Sequence, residues 1–504
     1  MRSTSTEDAR ASELAVALGQ RLRAAADAAL ETSPPPAPDP VSDADSCLQA
    51  LVRELAGTVD ARLAWLTLTA LAGAFPVPED VRHLLRAADL EDAEELTVTV
   101  LDRAHGLAAR HHSLDRQLRI ETGVVVDVDM CARSAFHNGI QRTTREVVSR
   151  WGADHAIHLV AWTATSGATR TLTPTEHDLA ARWDESLRSV VVEPSYEADR
   201  MTELVVPWRT TLVLAEVPLP DRCPPLAALA EFSGNRVVAI GYDAIPVVSA
   251  DLRPLGEPNG FAAYLALIKH TDRVAGISGS ASEEFAGYAS ALASQGLAGP
   301  DVVEVLLPTE VPPAPSGWHR AEPPRPLVVA VGRLEPHKNH DALLFAAERL
   351  WREGLQFDLH LVGGPGWDLH HVQETLERLD RDGRPLQWSR SMGDDELWEL
   401  LRSASFSVFI SLHEGFGLPV AESLACGTPV LTTAYGSQGE IAAAGGCLTV
   451  DPRDDESVVE GLRRMITEPG LVDELRTQAA NRPRRTWDDY AADLWQALVE
   501  EEVG

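Results

Sequence analysis

In the run SFSVFISLHEGFGLPVAESLACGTPV, two carboxylates, Glu414 and Glu422, bracket the turn Gly415-Phe416-Gly417. The glycines permit tight backbone approach, and Pro419 suits the first position of the helix that should follow. Glu422 is then expected in that helix's first turn. A glycine turn opening a helix leaves backbone N–H groups without intrahelical partners, which makes a cradle for an anion or a hydroxyl. Two carboxylates beside the cradle can accept hydrogen bonds from vicinal hydroxyls, as a sugar or ribose offers. Taken alone, the same residues also suit a plain turn with an acid placed favourably near a helix start. A second cluster lies in VAVGRLEPHKNHDALLFA, where Arg333 leaves a strand-like run and Lys338 precedes a helix expected from about Asn339. A forked guanidinium and a compact ammonium can together hold a diphosphate. The chain has only two lysines, Lys269 and Lys338, among 44 basic residues, so a lysine kept inside a motif carries extra weight.

These groups need strands to carry them. From Gly123 onward, short apolar runs (GVVVDVDM, HAIHLVAW, TLVLAEV, RVVAIGY) alternate with helical segments, which predicts a parallel sheet covered on both faces. The stretch 308–326 holds seven prolines and reads as a stiff connector, with the hinge at 311–326. Beyond it the alternation restarts with LVVAVGR and DLHLVGG. The fold class is therefore α/β, with two Rossmann-like doubly wound domains, 119–310 and 327–485, facing across a cleft. Ligands of such sheets lie beyond the carboxyl ends of the strands. Residues 1–118 show helical spacing throughout and read as an extra N-terminal all-α region with a Pro-rich linker at 32–45. A helix is expected over 486–504.

Composition narrows the functions. Across 504 residues, 44% hydrophobic and 24% charged content is ordinary for a globular protein. The formal charge of -32 repels phosphate backbones and anionic lipid, which argues against nucleic acid and against electrostatic membrane docking. Five scattered cysteines without metal spacing suit a reducing compartment, and no run of eighteen apolar residues occurs. A cytoplasmic protein with no membrane span is expected. Asp127-Val128-Asp129 mimics a D-x-D metal site, but it falls in an expected strand that would send both acids to one face. GGPGWDL, with Leu369 at the third glycine position, is a poor dinucleotide fingerprint.

Taken together, the segments resemble the family-4 retaining glycosyltransferases of GT-B fold. Glu414 to Glu422 reads as that family's E-x7-E pattern around GFGLP, and Arg333 and Lys338 resemble its paired phosphate-binding residues. GSQGE at 436–440 and Asp451-Pro452 match later landmarks. GRLEPHKN is most similar to a bacterial mannosyl and rhamnosyl transferase subgroup that reads E-P-R-K-N where His337 stands here. In the first half, Gly139, Ile140 and Arg142 resemble a Gly-Ile-x-Arg sequence that approaches the donor. GYDAIPVV resembles a His-Asp-x-x-Pro segment, with Tyr242 replacing the histidine and Asp243 kept. Ser280 lies in a turn similar to the family's Ser-rich one. The resemblance is continuous over 121–310 and 325–485 and does not cover 1–118.

The resemblance implies a metal-independent transfer of a hexose from a nucleotide-diphosphate sugar to an acceptor hydroxyl. Arg333 and Lys338 would stabilise the leaving diphosphate, Glu414 would contact the donor sugar, and Glu422 would bind the ribose. Asp243 would orient the acceptor or take its proton. Gly139, Arg142, Tyr242, Ser280, Gly415, Phe416, Gly417 and Leu418 would complete the substrate site. GDP-mannose is the favoured donor, ahead of dTDP-rhamnose and a UDP-hexose, and the acceptor is a glycan, a protein or a small molecule. The C-terminal helix would cross back onto the first domain, and region 1–118 would dock a protein partner or mediate oligomerisation. Two other readings stay open, a sugar-nucleotide epimerase and a non-catalytic GT-B scaffold.

Overall fold

A computed structural model of the chain describes residues 3–501 apart from 136–137, 188, 322 and 368–369, so Leu369 lies outside the described residues. Nine strands form the first sheet: β1 (Leu118–Glu121), β2 (Val124–Asp127), β3 (Ile157–Trp162), β4 (Thr169–Thr171), β5 (Leu204–Pro207), β6 (Thr211–Leu214), β7 (Arg236–Gly241), β8 (Arg273–Gly276) and β9 (Asp301–Glu304). Their order is β1-β5-β4-β3-β2-β6-β7-β8-β9, all parallel except β4, which runs against β3 and β5. The second sheet holds β10 (Leu327–Val331), β11 (Asp358–Val362), β12 (Leu386–Ser389), β13 (Phe406–Phe409), β14 (Val430–Thr433) and β15 (Cys447–Val450) in the order β12-β11-β10-β13-β14-β15. Its strands are parallel throughout. In each sheet the chain reverses direction of growth beside one strand, between β2 and β6 and between β10 and β13. Those reversals open a crevice at the strand ends. The residues that follow β10 and β13 carry Arg333, Lys338, Glu414 and Glu422.

Central strands read as uninterrupted Val, Ile and Leu because both faces are covered; Val125, Val126, Leu212, Val213, Val237 and Val238 are all fully buried. On one face the cover is the N-terminal helical region. Its five helices run Ser3–Ala29, Pro40–Thr58, Ala61–Ala72, Pro78–Leu90 and Ala93–His111. Leu22, Leu51, Trp65 and Phe75 share one continuous apolar core with Val125, Trp162, Leu204 and Leu212 of the sheet. Phe75 sits between Trp65 and Trp162, at centroid separations of 5.4 and 6.0 Å. The buried Arg21 guanidinium donates to the carbonyls of Ala70, Leu114 and Arg116, tying the first helix to the chain entering β1. The helical region is thus an integral part of the first lobe's core.

Three local expectations need correction. The proline-rich linker ends early, because Asp39 caps a helix that begins at Pro40, where a proline lacks only an N–H that would have been unpaired anyway. Asp127 closes β2, but Asp129 opens the short Asp129–Arg133 helix, so the two acids do not share a strand face. Asp129 pairs with Arg133 at 2.8 Å and with Arg222, and Asp127 accepts from Trp162 Nε1 at 2.9 Å. These acids are spent on internal partners. Glu422 lies one residue further in than expected, just past the first turn, because the helix Leu418–Ala425 starts at Leu418 and places Pro419 second.

The end of the chain leaves the second lobe for the first. The Trp487–Trp495 helix packs on Gly139–Asp154, with Trp151 Nε1 donating to the Ala491 carbonyl at 2.8 Å. Trp495 stacks on His155 with ring centroids 3.7 Å apart. Arg273 and Arg236 then hold the carbonyls of Ala497 and Val499.

Candidate functional site

The second lobe's contribution begins where β10 and β11 end. Gly332 and Gly363 lie so close that a Cβ on Gly363 would sit 1.9 Å from the Gly332 carbonyl oxygen, at a φ of +154° that favours glycine. This contact turns the chain sharply and delivers Arg333 to the crevice. A tight turn over Pro336–Lys338 follows, and Asn339 in the left-handed region starts the helix His340–Arg352. Lys338 Nζ lies 2.5 Å from Glu414 Oε1. Arg333 is about half exposed, donates to the Pro365 carbonyl at 3.2 Å and lies 3.7 Å from Glu335. Beyond β13, Gly417 at φ +98° lets the Glu414 turn enter the Leu418–Ala425 helix. Burial pushes the Glu414 carboxyl up, but the charge of Lys338 and the bond to its ammonium outweigh it and hold the group below the ordinary carboxylate range. Glu422 is the reverse case: burial prevails over Arg142 and raises it.

The first lobe answers from the ends of β2 and β7. Asn138 caps the Gly139–Asp154 helix through the N–H groups of Ile140 and Gln141. Gly139 lies against Leu418, where a Cβ would sit 3.3 Å from Cδ1, and Arg142 forms an ion pair with Glu422 across the cleft. The Arg142 guanidinium also lies over the Trp487 ring at 5.6 Å. Tyr242 follows β7 directly, with its hydroxyl donating to the Ala215 carbonyl at 2.7 Å, which fixes it in the wall. Asp243 is half-buried in the cavity wall. Burial pushes its carboxyl up to about 6 against the bond from the Ile245 N–H, with the Glu284 and Glu414 carboxylates adding to the rise. Gly415 is where the lobes touch: a Cβ there would lie 2.4 Å from the Tyr242 carbonyl oxygen and 3.1 Å from Asp243 Cβ.

A cavity of about 1430 Å³ between the lobes is lined by Arg333, Lys338, Glu414 and Glu422 from one side and Gly139, Arg142, Tyr242 and Asp243 from the other. Gly415, Phe416, Gly417 and Leu418 line it as well. Of the residues picked from sequence, Ser280 is the exception. It faces a separate cavity of about 260 Å³, with Glu414 as the wall common to both, and its backbone N–H is taken by Glu440 at 2.6 Å. The serine-rich turn thus lies along the lobe contact, on the smaller cavity. Sequence reasoning also passed over Arg253, His413 and Glu284, and named His337 only as a replacement in the subgroup pattern. Arg253 lies 3.6 Å from Glu335, and His337 is buried, pushed down to about 3 by burial and by Lys338. His413 and Glu284 meet across the lobes at 2.5 Å. The position of His413 beside Glu414 was the available signal for that pair.

Chemically, this arrangement sets an ammonium and a guanidinium beside helix-start N–H groups on one wall, with a carboxyl of raised proton affinity opposite. The first wall suits a diphosphate. The second suits a hydroxyl that must be oriented or deprotonated near neutral pH.

Residues 318–485 match the family described as glycosyl transferases group 1. Over 202 residues the chain is 28% identical to the serotype-specific mannosyltransferase WbdA of Escherichia coli, covering 38% of this chain and 25% of that protein. It is 35% identical over 132 residues to the O-antigen chain mannosyltransferase B of Escherichia coli, 25% of this chain and 33% of that one. The chain thus spans about a quarter to a third of the length of these relatives. Its fold is that of sucrose-phosphate synthase from Thermosynechococcus elongatus, with a TM-score of 0.52 at 15% identity over 75% of this chain and 98% of that one.

Proposed function

We propose that this glycosyltransferase of GT-B fold, whose residues 318–485 belong to the glycosyl transferases group 1 family, moves a hexose from a nucleotide-diphosphate sugar to an acceptor hydroxyl with retention and without a metal ion. The observation that carries the reading is the meeting of Arg333, Lys338, Glu414 and Glu422 with Asp243 around one interlobe cavity. Breaking the sugar–phosphate bond builds positive charge on the ring and negative charge on the departing diphosphate. Arg333, Lys338 and the N–H groups opening the Leu418–Ala425 helix stabilise that negative charge in fixed positions, so no cation need be recruited. Glu414 contacts the donor sugar and Glu422 the ribose hydroxyls. Asp243, from the opposite lobe, orients the acceptor hydroxyl or takes its proton. A mannosyl donor, GDP-mannose first, is favoured because the two named relatives are mannosyltransferases.

The test is incubation with GDP-mannose, dTDP-rhamnose and UDP-glucose, each with and without oligosaccharide acceptors, in the presence and absence of EDTA. Transfer that survives EDTA, with the anomeric configuration of the donor kept in the product by NMR, is expected. An altered donor sugar without acceptor would establish an epimerase instead. Inertness toward every donor would leave the scaffold reading, and loss of transfer on chelation would overturn metal independence.

A further inference from the structure

We propose that Glu284 and His413 form a cross-lobe bridge that sets Asp243 against Glu414, making both positioning residues for the reaction. The roles of Asp243 and Glu414 rest on the glycosyl-transfer reading above; the bridge itself rests on geometry. Glu284 sits in the Gly279–Ala293 helix of the first lobe. One of its oxygens accepts the Ala244 N–H at 2.6 Å, directly beside Asp243, and the other meets His413 Nε2 at 2.5 Å, directly beside Glu414. A single carboxylate therefore joins the two backbone segments that bear the reactive carboxyls. The imidazole's other nitrogen, Nδ1, is 2.8 Å from Ser249 Oγ, just past the short Ile245–Val248 helix that Asp243 leads into. Both ring nitrogens are thus held by the first lobe, while the ring belongs to the second.

The charges agree with the contacts. His413 faces three carboxylates, Glu284, Asp243 and Glu414, with the neutral His337 nearby. Burial works against the charged imidazole, but the hydrogen bond to Glu284 and the surrounding carboxylates prevail and raise its proton affinity. As pH rises through that raised value the imidazolium is lost and the bridge weakens. Glu284 lines neither cavity and His413 only the smaller one, so each acts on the large cavity through its neighbour. Misplacing reacting groups by about 1 Å can cost on the order of a hundredfold in rate.

The test uses the full chain with H413A, E284A, the double variant, H413Q and E284Q. His413→Ala and Glu284→Ala are each expected to lower kcat tenfold to a hundredfold with donor KM within about twofold, and the double variant should be no worse than the poorer single one. H413Q keeps a donor toward Glu284 and should recover most of the rate, without the wild type's alkaline decline. E284Q has one acceptor oxygen for two donors and should fall between wild type and E284A. In solution, small-angle scattering should show H413A more extended than the wild type. Multiplicative losses in the double variant, a change confined to donor KM, or unchanged kcat with unchanged dimensions would each overturn the bridge. Absence of turnover in the wild type would defeat the glycosyl-transfer reading alone, and scattering would still decide the bridge.

Discussion

Lys338 and Glu414 define the site at the level of single side chains. The ammonium is held 2.5 Å from a half-buried carboxylate and so is aimed before any diphosphate arrives. Lys338→Ala and Glu414→Ala should each reduce turnover at least a hundredfold, with circular dichroism unchanged; wild-type rates in both would remove these residues from the reaction. Asp243 makes a pH prediction. With its carboxyl pushed up to about 6, the group becomes an ionised acceptor only as pH rises through that value, so kcat/KM should climb across it. Asp243→Asn should flatten that acid limb as well as lower the rate, and a limb retained in the variant would assign it elsewhere. Lys338 could be found from sequence because lysine is so rare in this chain. His413 offered only its place beside Glu414, because its partners Glu284 and Ser249 lie 129 and 164 residues away and only folding brings them together.

Turns and strand ends set the precision of the site. Gly415 has no room for a side chain where the lobes meet, and Gly363 has none where β10 and β11 end. Gly415→Ala should cut transfer tenfold or more by forcing the lobes apart, with little change in melting temperature; unaltered transfer would mean that the contact is not needed for the reaction. Buried apolar runs made the strands around Arg333 and Glu414 readable. Edges were harder, since Pro40 starts a helix inside a proline-rich stretch and Asp129 leaves a strand whose alternating pattern runs on past it. Ser280 shows the same limit: a turn can be read from its serines, but the cavity it faces depends on how the Gly279–Ala293 helix meets Glu440.

At the scale of the whole molecule, the N-terminal helices answer to the first sheet. Trp65 and Phe75 pack with Trp162 in a shared core, so the helical region's apolar faces are used inside the lobe. A chain beginning at residue 119 should therefore lose the cooperative unfolding of the first lobe and aggregate; a soluble, active 119–504 fragment would show that the helices are an accessory. The strongly acidic chain, with its formal charge of -32, brings Arg333 and Lys338 together at a cavity between two lobes, where they can hold a diphosphate. Thermal melting with GDP-mannose, dTDP-rhamnose and UDP-glucose tests that claim most directly, because a ligand that binds the folded state raises its apparent stability. At least one donor should raise the melting temperature of the wild type and fail to do so in Lys338→Ala. No shift with any nucleotide sugar, or a shift that survives the loss of Lys338, would contradict the account.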